Sequence, residues 1–219
     1  MKEKYFIKYS SDMRRGFDMS EIFGICPYLS SPSEKIYFSF DKNSKILDIG
    51  GFIGDSTVFF AKQGTMIYVF EPQKKAFDLI LDNMRLNKLK NFKSYNKAIT
   101  HDGRDIILDD NEKITDDIDV MNLKKGSLKK IVKFSDALKN ENQWSLIKID
   151  IEGGEWSILE EIIRNVRLVK NVKGFIIELH DYSKNKNLLK RFIDLLKKKG
   201  FNVEIQLSGR LGMLWVKRD

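Results

Sequence analysis

The chain has 219 residues, of which 42% are hydrophobic and 32% are charged, and its formal net charge is +8. This composition predicts one globular domain with its own core and excludes a long disordered or low-complexity chain. The single cysteine excludes an intrachain disulfide framework, and there is neither an apolar run of about 18 residues nor the apolar core of a signal peptide. We therefore expect a cytoplasmic protein without a membrane span.

Residues 1–40 come before the first strand of the main fold. A helical spacing of apolar side chains is followed by a chain break around Pro32 and by a stretch that is consistent with a short strand, Ile36–Phe40. The spaced apolar residues are Phe17, Met19, Ile22 and Phe23. The segment is either a packing helix or a lid over a ligand, and we treat residues 41–219 as one ligand-binding domain.

The next stretch, Lys45–Pro72, organises the chain. Its pattern predicts a buried strand, a glycine turn, a helix and a second strand that ends at an acid, Glu71. The predicted strands cover residues 46–49 and 66–70, and helix-start chemistry is supplied by Asp55, Ser56 and Thr57. This arrangement is typical of a nucleotide-binding half-fold, whose ligands bind beyond the carboxyl ends of the strands.

The glycine pattern excludes two common classes of nucleotide. Dinucleotide binding needs a glycine two places after Gly50, where this chain has Phe52, and the chain has no phosphate-binding loop of the triphosphate type. S-adenosylmethionine (SAM), a nucleoside without a phosphate, is consistent with what remains. Glu71 can accept hydrogen bonds from both ribose hydroxyls, Asp48 can hold the ammonium group, and the amides of the glycine turn and helix start can hold the carboxylate.

Beyond Pro72, helical and strand periodicities alternate, and two strands joined by a turn at Gly209 follow the last helix. The predicted helices cover residues 77–87, 155–163 and 188–200, with a short one from Ser135 or Asp136. The predicted strands cover residues 92–99, 146–151, 175–179, 201–207 and 211–216, and residues 101–122 are predicted to form a loop with a short hairpin. The sequence thus predicts an α/β fold: a doubly wound, mainly parallel sheet with helices on both faces and a C-terminal antiparallel hairpin.

Charged residues cluster where the fourth and fifth predicted strands end. Strand alternation places Lys148, Asp150 and Glu152 on one side of the chain, and Glu178 and His180 end the neighbouring strand. Because the ligands of such sheets bind at the carboxyl ends of the strands, we expect these side chains to converge beside the SAM methyl group.

Several roles are open for this group. His180 has the intrinsic pKa of a general base near neutral pH, although it can instead make a structural hydrogen bond. Lys148 is expected to compensate the burial of Glu178 or Glu155 through an ion pair. Alternatively, Mg²⁺ or Mn²⁺ can be bound by Asp150, Glu152, Glu178 and His180.

Four separated motifs, LDIGGFIGDST, FEP, KIDIEGGEWSILE and IIELH, resemble those of the FkbM family of SAM-dependent class I methyltransferases. The resemblance covers about residues 45–217. It implies a Rossmann-like fold and methylation of a hydroxyl oxygen on a natural product, a sugar or a lipid. The chain departs from the family pattern at Gly51 and Phe52, where the family usually has Ala and Asn.

These arguments define two overlapping sets of site residues. The predicted cofactor-binding residues are Asp48, Gly50, Gly51, Phe52, Gly54, Thr57, Glu71, Pro72, Lys97, Ala98 and Asp150. The predicted catalytic residues are Lys148, Asp150, Glu152, Glu178 and His180.

Two rival functions remain. The basic composition is compatible with methylation of RNA at ribose or carbon, whereas base-amine methylation is disfavoured because the loop after the fourth strand, DIEGG, has no proline. The basic residues are scattered and are not interleaved with aromatic residues, which favours a solvated surface over a nucleic-acid interface. A non-catalytic SAM-binding protein is the second rival, and it gives no reason for charges at the strand ends.

Overall fold

A computed structural model of the chain describes residues 4–13, 16–18, 29–104, 107–108, 127–128 and 130–218. The predicted helical spacing from Phe17 to Phe23 lies largely outside this part, although Phe17 itself lies in a strand. Most of the predicted loop at residues 101–122 also lies outside it. Ile107–Leu108 (β7), within the predicted stretch, pairs antiparallel with Ser127–Leu128 (β8), which lies beyond it.

The core is a seven-stranded sheet in which the order is β12-β13-β11-β10-β3-β4-β5. Five strands run parallel: β3 (Lys45–Ile49), β4 (Met66–Phe70), β5 (Phe92–Tyr95), β10 (Leu146–Ile149) and β11 (Gly174–His180). The hairpin of β12 (Phe201–Ser208) and β13 (Leu211–Arg218) adds two strands, and β13 pairs antiparallel with β11. The predicted sheet and its hairpin are therefore confirmed.

Helices cover both faces of the sheet because alternate strand residues are apolar on both sides. On one face, α1 (Asp55–Lys62) and α2 (Lys74–Leu86) pack on Ile46, Ile67 and Ile176. On the other face, α4 (Glu155–Arg164) and α5 (Lys186–Lys198) pack on Leu47 and Ile147, together with the short α3 (Phe134–Ala137). Both layers pack through large apolar clusters. The carboxyl ends of the strands, which carry the site, are therefore supported from both faces of the sheet.

Two strand predictions were wrong in extent. The stretch predicted as one strand at residues 92–99 is divided between β5 in the main sheet and β6 (Ala98–Thr100), which pairs with β9 (Ile131–Lys133). The turn between them is held by the Asn96 side chain, whose amide donates to the carbonyl oxygens of Glu71 (2.9 Å) and Pro72 (3.1 Å). The stretch Ile36–Phe40 contributes only a single bridge, between Ser30 and Tyr37, rather than a strand.

Asn83 of α2 and Asn87, directly after that helix, hold the N-terminal segment, in which β1 (Phe6–Ile7) pairs with β2 (Phe17–Asp18). The Asn87 side chain accepts from the Phe6 amide and donates to its carbonyl, and Asn83 bonds Lys8 in the same way. Asn83 also donates to the Ile53 carbonyl in the glycine turn. Each carboxamide thus replaces a neighbouring strand and ties this segment to the turn.

None of the described helices is long and apolar enough to cross a membrane.

Candidate functional site

The predicted acid of the first strand, Asp48, lies beneath the glycine turn. It is fully buried on β3, and one carboxylate oxygen accepts hydrogen bonds from the hydroxyls of Ser56 and Thr57, both at 2.8 Å. The serine and threonine at the start of α1 therefore bind Asp48 rather than capping their own helix. This geometry assigns Asp48 and Thr57 to holding the turn, and their predicted contact with a ligand stays a prediction.

Lys148 lies beside Asp48 because β10 and β3 pair in register at these two residues. Its ammonium nitrogen lies 3.4 Å from Asp48, 3.3 Å from Asp150 and 2.9 Å from the Gly50 carbonyl oxygen, to which it donates. The strand register sets these neighbours. The predicted compensation of Glu178 or Glu155 by Lys148 stays a prediction, although the Lys148 charge opposes the rise that burial causes in the pKa of Glu178. Lys148 neutralises the charges directly under the turn.

Replacing Lys148 by Met is expected to destabilise the fold by about 3–5 kcal/mol, because the variant leaves Asp48 as an uncompensated buried charge. Urea unfolding followed by circular dichroism measures the loss. Lys139→Met is the matched control, since its partner Asp136 is a solvent-exposed carboxylate and little change is expected there. Equal stability of the two variants would contradict this role for Lys148.

The glycine turn approaches the neighbouring strand so closely that a side chain is excluded. A Cβ on Gly50 would lie 1.7 Å from the Asp150 carbonyl oxygen, and the Gly50 φ angle of +82° also favours glycine. Phe52 has a φ of +46°, which is uncommon for a bulky residue. This conformation directs the Phe52 amide toward the acid at the end of β4.

That acid, Glu71, is buried and oriented by the backbone. Its two carboxylate oxygens accept hydrogen bonds from the amides of Phe52 (2.9 Å) and Gln73 (2.7 Å). Burial raises its pKa to about 7, although both amides and Lys148 oppose the shift. Each oxygen retains a further lone pair, so the carboxylate can accept two hydroxyl donors, which matches the ribose of SAM.

The remaining predicted cofactor residues follow the same strand ends. Pro72 comes directly after Glu71, and Lys97 and Ala98 come after β5, whose Tyr95 carbonyl accepts from the Glu71 amide. Gly51 and Gly54 lie between Asp48 and α1, where the Gly54 amide donates to the Gly51 carbonyl. The predicted cofactor-binding residues therefore lie near the carboxyl ends of the parallel strands.

His180 lies between two carboxylates at the end of β11. Its Nε2 is 3.2 Å from Glu152 and its Nδ1 is 3.3 Å from Glu155. Burial by itself would lower the pKa of His180, but the hydrogen bonds and charges of the two glutamates outweigh it and raise the pKa to about 10. A ring with such a pKa is mostly protonated at neutral pH, which argues against His180 as the general base, and its catalytic role stays a prediction.

Glu152 reaches His180 through a turn rather than through strand alternation. Strand β10 ends at Ile149, two residues earlier than predicted, and Glu152 has a φ of +49°. Glu155, which the predicted site omitted, is fully buried and also accepts from the Gly153 and His180 amides. Glu152 and Glu155 were visible in the sequence as the two ends of the motif EGGE. Nothing in that motif indicated that both would contact His180.

Glu178 differs from the other acids of this edge. The register of β10 and β11 aligns it with Asp150, one position beyond the pair Ile149–Ile177. Burial and the Asp150 charge raise its pKa to about 7, against the opposing charges of His180 and Lys148. Among the described residues, no hydrogen bond or ion pair holds its carboxylate, so it is the acid available to a ligand.

Three of the charged residues at these strand ends lie close enough together to form a cation site. Asp150, Glu152 and His180 each offer an atom within 4.8 Å of the others. The Lys148 ammonium, however, already lies beside Asp150. Glu152 and Glu155 also raise the pKa of His180 to about 10, and a protonated imidazole ring has no lone pair for a metal. Both features disfavour a Mg²⁺ or Mn²⁺ site at these residues.

Comparisons with known proteins agree with the motifs. The model of the methyltransferase FkbM domain matches residues 48–203. Among solved structures, an rRNA methylase from Streptococcus thermophilus is 12% identical, with a TM-score of 0.52 over 82% of this chain and 89% of that one. SMU.1697c, a proposed methyltransferase from Streptococcus mutans in complex with SAH, is 14% identical, with a TM-score of 0.53 over 82% of this chain and 90% of that one.

At such identities these solved structures show a shared fold and nothing finer. No curated protein matches the chain. The family model covers well over half of the 219 residues and spans both the glycine turn and the charged strand ends. The chain belongs to the FkbM family of SAM-dependent methyltransferases.

Proposed function

We propose that the protein methylates a hydroxyl oxygen of a small molecule, glycan or lipid acceptor, with Glu178 as the general base. The observation that carries this proposal is the Glu178 carboxylate, which has no hydrogen-bond partner among the described residues and a pKa raised to about 7. A base with such a pKa is deprotonated in a large fraction of molecules at neutral pH and can still hold a proton.

Under this proposal, each residue at the strand ends has its own role. SAM supplies an electrophilic methyl group when it is bound. Glu71 would hold the ribose hydroxyls, and Glu178 would accept a hydrogen bond from the acceptor hydroxyl and take its proton. The imidazolium of His180 keeps Glu152 and Glu155 in place, so that Glu178 is the remaining unpaired base. Placing the hydroxyl in line with the methyl group lowers the barrier further.

The charges at the ends of β10 and β11 favour an acceptor without phosphates. Four carboxylates face two cations there: Asp150, Glu152, Glu155 and Glu178 against Lys148 and His180. RNA methylation remains the rival, but a polyanion would meet net negative charge at this edge, whereas RNA binding depends on cationic contacts. The rRNA methylase among the structural neighbours shares the fold at 12% identity, which does not transfer its substrate.

A direct experiment separates these functions. The purified protein is incubated with methyl-labelled SAM and either a panel of polyhydroxylated small molecules, glycans and lipids or total RNA. Label in an alkali-stable ether of a panel member supports the proposal. Label only in RNA, with RNA retention that falls steeply with salt, would replace it by the rival. Binding of SAM without transfer to any acceptor would favour a non-catalytic binding protein.

Activity is expected to persist after treatment with a chelator, because Lys148 and His180 already lie beside the carboxylates that would hold a metal. Initial rates are compared before and after dialysis against EDTA, with added Mg²⁺ or Mn²⁺ as the restoring control. A loss of more than about tenfold that the metal restores would overturn the metal-free assignment.

We also propose a division of the chain into residues 41–219, which carry both halves of the site, and an N-terminal segment that covers the glycine turn. Tyr9 supports this division, because burial and the charge of Asp55 raise its pKa. Asp55 begins α1, directly after the turn. Limited proteolysis with and without SAM tests the proposal, since SAM should protect the N-terminal segment.

A further inference from the structure

A cavity lies at the opposite end of the sheet from the strand ends that carry Glu178 and His180. Its volume is about 330 Å³, which is within the range of about 300–1,000 Å³ that is usual for small-molecule sites. The polar side chains that line it include Ser39, Asp41, Ser145, Lys173, Lys217 and Arg218. Neither the catalytic proposal nor the cofactor set uses any of these residues.

The topology explains why cations meet here. Ser145 and Lys173 come directly before β10 and β11, so both lie at the amino ends of parallel strands. Because β13 runs antiparallel to β11, its last residues, Lys217 and Arg218, return to the same edge. At about 3.3 Å per strand residue, this edge is roughly 15–20 Å from the ends that carry His180.

The cationic side chains that line the cavity make no ion pairs among the described residues. Among the described residues, Lys173 is exposed and has no side-chain partner, and Lys217 donates only to the Tyr37 carbonyl oxygen. The only acid among the lining residues is Asp41, which accepts hydrogen bonds from the Ser44 hydroxyl and the Asn43 amide. These bonds hold the pKa of Asp41 below its usual value, so three cations face one carboxylate.

Arg218 adds positive charge beside the cavity without offering it a donor. One guanidinium nitrogen donates to the Lys170 carbonyl oxygen at 2.7 Å, and the group lies 4.2 Å from the centre of the Phe201 ring. Neither Lys170 nor Phe201 lines the cavity, and the Arg218 Nε is buried. The donors available to a ligand are therefore the lysines and serines that line the cavity.

We propose that this cavity binds a small organic phosphate. A phosphate group offers several anionic oxygens to ammonium and hydroxyl donors at once, and the donors here are Lys173, Lys217, Ser39 and Ser145. The cavity volume accommodates a phosphorylated sugar or ring. Because the cavity lies at the far edge of the sheet, its ligand is not the methyl acceptor.

The test uses the full-length protein and measures binding by calorimetry and by amide chemical-shift changes in NMR. The probes are inorganic phosphate, ribose 5-phosphate and, as the uncharged comparison, ribose. Saturable binding of ribose 5-phosphate, with no binding of ribose, is expected at constant ionic strength. Lys173→Glu should weaken this binding by at least tenfold, whereas Lys199→Glu, an exposed change of the same charge at the end of α5, should alter it less than twofold.

Lys173 is exposed and makes no side-chain hydrogen bond or ion pair among the described residues, so its replacement is expected to leave the thermal unfolding temperature unchanged. Equal weakening by Lys173→Glu and Lys199→Glu would show a general effect of net charge and overturn the proposal. Shift changes confined to residues around Asp150 and His180 would also overturn it. Equal affinity for inorganic phosphate and ribose 5-phosphate would retain the anion site but reject the organic part.

Discussion

Glu178→Gln is expected to lower kcat by about 10²–10⁴-fold while the affinity for SAM stays within about twofold, because the variant keeps the shape of the side chain and removes only the base. In the unaltered protein, kcat/KM should rise with pH through about 7, since the rate requires the deprotonated carboxylate. The variant should lack this rise. Steady-state kinetics between pH 5.5 and 9 with a fixed acceptor measure both effects.

The stability of the same variant separates catalysis from folding. The pKa of Glu178 is raised from 4.5 to about 7 in the folded protein, so folding favours the protonated form. The stability that this group contributes is present below its unfolded pKa and is lost as the pH rises through about 7. Glu178→Gln should therefore be at least as stable as the unaltered protein at pH 8. An unstable variant, or one that retains full activity, would remove Glu178 from the proposed role.

His180→Gln is the control for the assignment of the base. If the imidazolium only holds Glu152 and Glu155, its loss should lower activity while the rise of kcat/KM near pH 7 remains. Disappearance of that rise in the His180 variant, but not in the Glu178 variant, would return the role of base to His180.

Glu71→Ala is expected to weaken SAM binding by at least about 100-fold. Two hydrogen bonds from ribose hydroxyls to an ionised carboxylate contribute about 1.5–3 kcal/mol each, and the variant loses both. Calorimetry with SAM and with SAH measures the change. Glu160→Ala, which removes an exposed glutamate of α4, is the charge-matched control and should bind as the unaltered protein does.

The pH dependence of binding gives a second measure of the same contact. Burial holds the pKa of free Glu71 near 7, and hydroxyl donors favour its ionised form. The affinity for SAM should therefore increase between pH 6 and pH 8 in the unaltered protein and not in Glu71→Ala. An affinity that the substitution leaves unchanged would sink the assignment of Glu71 to the ribose.

Local periodicity predicted most of the fold because helices and strands in this chain bury regular apolar faces. The two faces of the sheet follow from central strands that are mostly apolar on both sides, and the terminal hairpin follows from its turn at Gly209. The break between β5 and β6 was missed because Asn96 makes its hydrogen bonds to residues 24 and 25 positions earlier in the chain. No pattern within residues 92–99 records those partners.

The sequence by itself determined the family, the sheet and the edge at which the site residues meet, because motif spacing and strand order are local properties of the chain. The tertiary structure alone decided what each charge does there. The strand register placed Lys148 beside Asp48 and Asp150. A turn after Asp150 placed Glu152 and Glu155 beside the two ring nitrogens of His180. A pKa depends on the burial and charges around a group, so only the folded protein shows that two glutamates raise the pKa of His180 and that burial raises the pKa of Glu178, the base we propose.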